Sequence, residues 1–377
     1  MKLRRLKAVA RKELLHIVRD ARSLALALLL PLVMLLLFGY ALTLDVDRIP
    51  TYIYEQDKTP QSRELIDQFR GSKYFQILDA VDRYANIERG IDRNTILLSI
   101  VIPRYYSRDL LAGRDANVQL LTDGSDSNTA SIALGYAQAV IQTYAFQLRS
   151  NAQVRRGGGQ MKVPVDARVR VWYNSDLKSR NFIVPGLIAV SMMIIASLLS
   201  SLCIAREWEN GTMEQLLSTP LRPMEIVLGK LLAYFALGMV DMLICMVVGV
   251  FIFQVPFRGS LWMLVLSSSL FLFGALAWGI FISASARTQL LAYQMGMLSS
   301  FLPAYLLSGF IYSISNMPKV IQAISYIVPA RYFVTILNSV FLKGVGILTL
   351  VPAFTMLSAY AALVFLGATR KMRQKVA

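Results

Sequence analysis

Six apolar stretches, each near or above the roughly 20 residues that an α-helix needs to cross a hydrocarbon core, constrain this chain more than any other feature. They run over 24–44, 182–204, 226–253, 261–283, 289–312 and 347–368. In lipid every backbone N–H and C=O must be paired within the protein, so runs of this length predict membrane-spanning helices. Composition agrees: 55% of the 377 residues are hydrophobic, 16% are charged, and the mean hydropathy is +0.51. That is too apolar for a water-soluble surface. An even number of spans returns both ends of the chain to one side.

The basic residues say which side. Lys2, Arg4, Arg5, Lys7, Arg11, Lys12, Arg19 and Arg22 precede the first span, and Arg370, Lys371, Arg373 and Lys375 follow the last. The positive-inside rule then predicts cytoplasmic termini, with 1–22 and the tail 370–377 on that face. Most of the formal net charge of +16 lies in these two segments, so it is a topology signal and nucleic acid is not an implied partner. The first span (23–44) is too long for a cleaved signal and reads as an uncleaved anchor. Ahead of it Leu6, Val9, Ala10, Leu14, Ile17 and Val18 recur at helical spacing. Two readings stay open here: an interfacial amphipathic helix lying on the bilayer, or a basic anchor and nothing more.

The one long hydrophilic region, 45–180, is large enough for a domain and falls outside the cytoplasm on this topology. Strand-like segments at 51–54, 74–78, 96–102, 118–121 and 167–173 alternate with helical ones near 60–70, 83–93 and 128–149. An α/β extracytoplasmic domain inserted between the first and second spans is expected. The run from Asp123 to Asn128 lacks the oxygen spacing and closing Glu of a calcium loop and reads as a turn that caps the following helix. Arg155-Arg-Gly-Gly-Gly-Gln160 lacks the Gly-Lys-Ser/Thr of a phosphate loop and reads as a flexible connection.

Chemistry is scarce. Cys203 and Cys245 both lie in apolar spans, and His16 is the single histidine. A Ser-His-Asp triad, a His-rich zinc site and a disulfide framework are therefore not expected, nor is any metal or cofactor in this chain. Asp241 is a carboxylate inside the third apolar run. It marks either a functional contact with cargo or a cation, or else an interhelical hydrogen bond or a water-filled crevice near the cytoplasmic end. Gln294, Phe301, Tyr305 and Ser308 fall on one face of the fifth span, either lining a path or gluing helices together. Over 313–345, Pro329 and Arg331 interrupt an apolar stretch. A spanning helix there would put Arg331 near mid-bilayer at about 2.5–3.5 kcal/mol, so two short helices that enter from the outer side and return fit better.

Between the second and third spans sits Arg206-Glu-Trp-Glu-Asn-Gly-Thr-Met-Glu-Gln-Leu-Leu-Ser-Thr-Pro220, followed by Glu225 and Gly229-Lys230. It predicts a charged helix of about four turns, continuous through Leu217 and ended by Ser218-Thr-Pro220, with Glu225 in the first turn of the next span. Glu207, Glu209 and Glu214 are out of place on a positive face and suggest a basic partner surface.

These residues resemble the loop between the second and third spans of ABC-2-type permeases, the membrane subunits of bacterial ATP-binding-cassette exporters. The resemblance continues through Ile102-Pro-Arg-Tyr-Tyr-Ser-Arg-Asp-Leu110, Leu121-Thr-Asp-Gly-Ser-Asp-Ser-Asn-Thr-Ala130, Leu307-Ser-Gly-Phe310 and Tyr326-Ile-Val-Pro-Ala-Arg-Tyr-Phe333, which are similar to the branch with a large periplasmic domain that includes multidrug permeases. It implies the ABC-2, or type V exporter, fold with a permease core over 181–369 in the bacterial inner membrane. It also implies a dimer with a second copy or a paralogue, two ATPase subunits beneath it, and often a membrane-fusion or adaptor protein outside. The stretch 205–219, with Arg206, Glu207, Glu209, Gly211, Thr212, Glu214, Leu217, Thr219 and Pro220, corresponds to the coupling helix; Glu225, Gly229 and Lys230 support it. The second and fifth spans form the cargo route, with an outer gate near Pro185, Gly186 and the Pro329–Arg331 hairpin. No GxxxxGK[ST] occurs in the chain, so ATP and Mg would be bound by the partner ATPase. The function implied is efflux of drugs or other amphiphiles. A membrane sensor that relays an outer signal to a cytoplasmic partner also explains the outer domain and the charged arm, but not the broken hairpin or the polar fifth span.

Overall fold

A computed structural model of the chain describes residues 3–41, 48–155, 172–174, 178–286 and 288–376. The chain divides into two compact units, Leu44–Val169 and the remainder, which joins Met1–Thr43 to Arg170–Ala377.

The larger unit is helical. It begins with α1 (Leu3–Arg19) and α2 (Ala21–Ala41), separated only by Asp20. At 1.5 Å per residue the 21 residues of α2 extend about 31 Å and hold the expected run 24–44 as far as Ala41; residues 42–44 lie outside the described residues.

The smaller unit follows: β1 (Ile49–Glu55), α3 (Pro60–Arg70), β2 (Phe75–Ala80), α4 (Tyr84–Asp92), β3 (Leu98–Ile102), α5 (Tyr106–Leu111), β4 (Gln119–Thr122) and α6 (Ser127–Arg155). Its four strands lie in the order β2-β1-β3-β4, with β1 parallel to both neighbours and β4 antiparallel to β3. The two-residue period of β3 sends Leu98, Ile100 and Ile102 into the main core with Phe69, Ala133 and Ala137, while Val101 joins a second cluster with Ile87 and Ile96. Both faces of the sheet are thus covered, as parallel crossovers require. Asp123 accepts from the Ser125 amide at 2.9 Å, and the Ser125 hydroxyl and amide hold its carboxyl below the usual range. Asp126 accepts from the Thr129 amide at 3.3 Å, so this run is turn and cap chemistry. The short helix α5 was not expected. Of the expected strand at 167–173, residues 167–171 lie outside the described residues, as do 156–160 of the expected glycine-rich connection; Trp172 and Tyr173 are not in a strand.

The helical unit resumes with α7 (Arg180–Glu209), α8 (Thr212–Leu217), α9 (Pro223–Val247, prolonged by a π-helical turn over Val248–Ile252), α10 (Leu261–Ser285), α11 (Gln289–Leu307), α12 (Lys319–Ser325), α13 (Pro329–Asn338, prolonged by a π-helical turn over Ser339–Lys343) and α14 (Ile347–Val376). Among the described residues five helices are long and apolar enough to span: Arg180–Glu209, Pro223–Ile252, Leu261–Ser285, Gln289–Leu307 and Ile347–Arg373. A sixth is counted if α12 and the helix from Pro329 to Lys343, which meet at 84°, form one broken span.

α7 is the axis of this unit, packed by α2, α9, α10, α11 and α13. Small residues let the helices close on it, as in other membrane bundles. A Cβ on Gly279 of α10 would lie 1.9 Å from Ser200 Oγ and 2.5 Å from the Ser197 carbonyl. One on Gly296 of α11 would lie 2.8 Å from Ser201 Oγ. Ser283 Oγ accepts from the amides of Ile204 and Ala205, each at 2.9 Å, and Ser300 donates to Ser197 Oγ at 2.5 Å.

Candidate coupling site at the ends of α7 and α9

The charged segment is not the single helix its sequence predicts. α7 ends at Glu209, Asn210 caps it, and Gly211 takes the left-handed conformation (φ 71°) that a glycine enters without a Cβ penalty. The chain then turns into α8, a separate helix of six residues. Met213 plugs α8 into the core with no exposed surface. Leu221 N donates to the Thr219 carbonyl at 2.7 Å, closing a turn around Pro220, and Pro223 opens α9 with Glu225 accepting from the Arg222 amide at 3.1 Å.

Burial sorts the segment's residues. Glu209, Gly211, Thr212, Glu214, Thr219 and Pro220 are exposed, Arg206 and Leu217 are half-buried, and Glu207, Glu225, Gly229 and Lys230 are buried. Glu207 therefore does not face outward as a partner surface would. Its Oε2 lies 2.9 Å from Lys230 Nζ and its Oε1 accepts from Lys12 Nζ at 2.6 Å. Lys230, with 0% of its surface exposed, also donates to Glu13 Oε1 at 2.9 Å. Two ammonium groups thus face two carboxylates, which is how a buried lysine remains tolerable inside a bundle. Glu209 is exposed yet engaged, accepting from the Gln289 amide at 2.8 Å at the first turn of α11.

The knot ties three helices together. Glu13 and Lys12 belong to α1, Glu207 to α7 and Lys230 to α9. Around it Arg206 pairs with Asp20 at 3.5 Å, Arg5 lies 4.0 Å from Glu225, and Arg5 donates to the Pro220 carbonyl. Gly229 is the close-approach point: a Cβ there would lie 2.6 Å from Val9 Cγ1 of α1. Between α1, the end of α7, α8 and the start of α9 runs a cleft of about 680 Å³, with Val9, Leu216 and Leu221 among its apolar lining and Lys12, His16 and Arg206 among its polar lining.

Sequence reasoning did not single out Glu13 or Asp20, and it read Arg5 and Lys12 only as topology signals. The signal was available for Glu13, which shares a helical face with Leu6, Val9 and Ile17, all buried.

The other expected groups are only partly brought together. On α11 Gln294 is exposed, and Phe301 and Tyr305 stack with ring centroids 5.4 Å apart. Ser308 follows the last turn and turns inward, its Oγ accepting from the Phe310 amide at 3.3 Å, so it leaves the surface that Gln294 occupies. Asp241 is buried beside a small void lined by Ala27, Met192, Leu199, Leu237 and Leu272, away from α11, and accepts from the Cys245 thiol at 3.8 Å. At the proposed outer gate Pro185 and Gly186 are buried, and a Cβ on Gly186 would lie 2.3 Å from the Phe310 ring. Pro329 starts α13, and Arg331 folds back on α12, donating to Ser325 Oγ at 2.5 Å with its guanidinium 3.9 Å from the Tyr326 ring centroid.

Residues 21–370 match the family described as ABC-2 family transporter protein. The chain is 38% identical over 369 residues, 97% of its length and 96% of the relative's, to the probable multidrug ABC transporter permease YbhS of Escherichia coli K12. It is 32% identical over 343 residues, 91% of each chain, to the probable multidrug ABC transporter permease YbhR of the same strain. It is 27% identical over 339 residues, 87% of this chain and 86% of the other, to that strain's inner membrane transport permease YhhJ.

Proposed function

The chain belongs to the ABC-2 transporter family, and on that premise we propose that it is the membrane-spanning permease of an ATP-binding-cassette exporter, coupling ATP hydrolysis on a separate ATPase subunit to efflux of drugs or other amphiphiles across the inner membrane. The observation that carries this reading is the junction of α7 and α8. A short exposed helix, presenting Thr212, Glu214 and Gln215, is plugged by Met213 into a unit whose neighbouring helices are locked by buried ion pairs. A load on α8 is then shared by α7, α9 and α1.

In this proposal both termini are cytoplasmic, the Leu44–Val169 unit lies outside the cytoplasm, and the working assembly is two permeases, identical or paralogous, over two ATPase subunits that hold ATP and Mg, with an adaptor on the outer side where one exists. ATP binding draws the α8 helices of the two permeases together. The locked helices carry that motion toward Pro185, Gly186 and the α12–α13 bend, where the path opens. The side of α11 with exposed Gln294 and half-buried Phe301 and Tyr305 borders the path.

The test is a Glu214→Ala/Gln215→Ala variant, since both side chains are exposed. Permease-stimulated ATPase activity and ATPase co-purification are expected to fall at least tenfold while the permease stays folded. Unchanged values in both measurements would refute docking through α8.

A further inference from the structure

The helix α1 is amphipathic twice over, and only one of its apolar faces is used by the protein. At 100° per residue Val9, Glu13, Leu6 and Ile17 fall within an arc of about 80°, and all four are buried against the bundle. On another side Leu3, Leu14, Lys7, Val18, Arg11 and Arg4 fall, in that angular order, within an arc of about 100°. Leu3, Leu14 and Val18 are 61%, 43% and 59% exposed. Arg4, Lys7 and Arg11 are exposed too, and among the described residues none of them meets a carboxylate. The contrast with Arg5 and Lys12 is informative. Those two, on the side nearer the bundle, pair with Glu225, Glu13 and Glu207.

The free face has apolar side chains at one edge, guanidinium groups at the other and a long-stemmed lysine between them. That gradient suits the boundary between acyl chains and headgroups, where apolar side chains sink and basic ones reach back to the surface. Position adds to the argument. Only Asp20 separates α1 from the apolar helix α2, with Leu24 N donating to the Asp20 carbonyl at 3.0 Å, so α1 ends where an apolar helix begins. Three unpaired cations on such a face complement net negative headgroups, whereas a zwitterionic surface offers no net charge to match.

We propose that the outer face of α1 is a binding surface for anionic phospholipid headgroups, with Leu3, Leu14 and Val18 inserted in the leaflet and Arg4, Lys7 and Arg11 contacting lipid phosphates. Because the opposite face of the same helix carries Glu13 to Lys230, the charge of the leaflet acts on the helix that closes the ionic knot. The inference needs only that the chain sits in a bilayer, not that it couples to an ATPase.

The test uses the full chain in nanodiscs without any partner. A nitroxide on Leu14→Cys is expected to be more accessible to oxygen than to a nickel chelate, as befits a buried interfacial position. Spin-labelled phosphatidylglycerol is expected to be enriched over spin-labelled phosphatidylcholine around the protein, by up to about fivefold for each basic residue at the surface. The triple variant Arg4→Gln/Lys7→Gln/Arg11→Gln should lower that enrichment severalfold, and Arg4→Lys/Arg11→Lys should keep it. A Leu14 label that reads as water-exposed overturns the proposal, as does enrichment that the triple variant leaves unchanged. Shielding of that label only after an ATPase subunit is added would also overturn it, by assigning the face to a protein partner.

Discussion

Glu207 and Glu214 carry the same side chain within one short segment, and the fold uses them oppositely. Glu207, on the last turn of α7, is turned inward to two lysines, while Glu214, on α8 beyond the Gly211 turn, stands in solvent. Burial makes the first structural and leaves the second available for contact. The lesson is that charge in an interhelical loop is not one property: Glu207 belongs to a buried lock and Glu214 to an exposed surface.

The hardest test of that division is Lys230→Met. It leaves Glu13 and Glu207 buried with only Lys12, itself half exposed, as counter-ion. Removing one partner of a buried ion pair is expected to lower unfolding stability by about 3–5 kcal/mol, read by thermal or chaotrope unfolding in detergent. Adding Glu13→Gln and Glu207→Gln to it should restore much of the loss; no recovery would mean the three groups are not one network. Glu207→Gln alone, which keeps the shape and weakens charge-assisted bonds to Lys12 and Lys230, should cost about 1.5–3 kcal/mol. Gly229→Ala attacks the same lock sterically, placing a methyl 2.6 Å from Val9 Cγ1; about 1–3 kcal/mol is expected from overpacking. Glu214→Ala should leave stability within about 0.5 kcal/mol while lowering ATPase stimulation. If Glu214→Ala destabilises the permease as much as Glu207→Gln does, the division between lock and surface fails.

Much of the helical unit was legible in the sequence because span length and side-chain periodicity are local properties. The runs at 182–204, 226–253, 261–283, 289–312 and 347–368 each coincide largely with one long apolar helix in the structure. In the smaller unit β1, β2, β3, β4, α3, α4 and α6 fall where alternation and helical spacing place them, whereas α5 (Tyr106–Leu111) is too short to register a period. What failed was non-local. The break at Gly211 had a local hint in Asn210-Gly211, but the charged residues on both sides favoured reading through it. Glu13 and Lys230 are far apart in the chain, and no periodicity joins a carboxylate on one helix to an ammonium on another. Ser308 was placed on the Gln294 face by angle alone, which stops holding where α11 ends at Leu307.

In the proposed cycle Gly211 and Met213 together decide how a push on α8 arrives in the bundle. Were α7 continuous into α8, any displacement would travel along a rigid rod and keep its direction. Instead the two helices meet at a left-handed glycine, and the short helix is seated by the fully buried, unbranched thioether of Met213 with Leu216 and Leu217 packed beside it. In the proposed cycle the arrangement acts as a ball joint: it passes force into the bundle while tolerating a change of angle, so that the permease stays engaged with an ATPase that rotates as it closes.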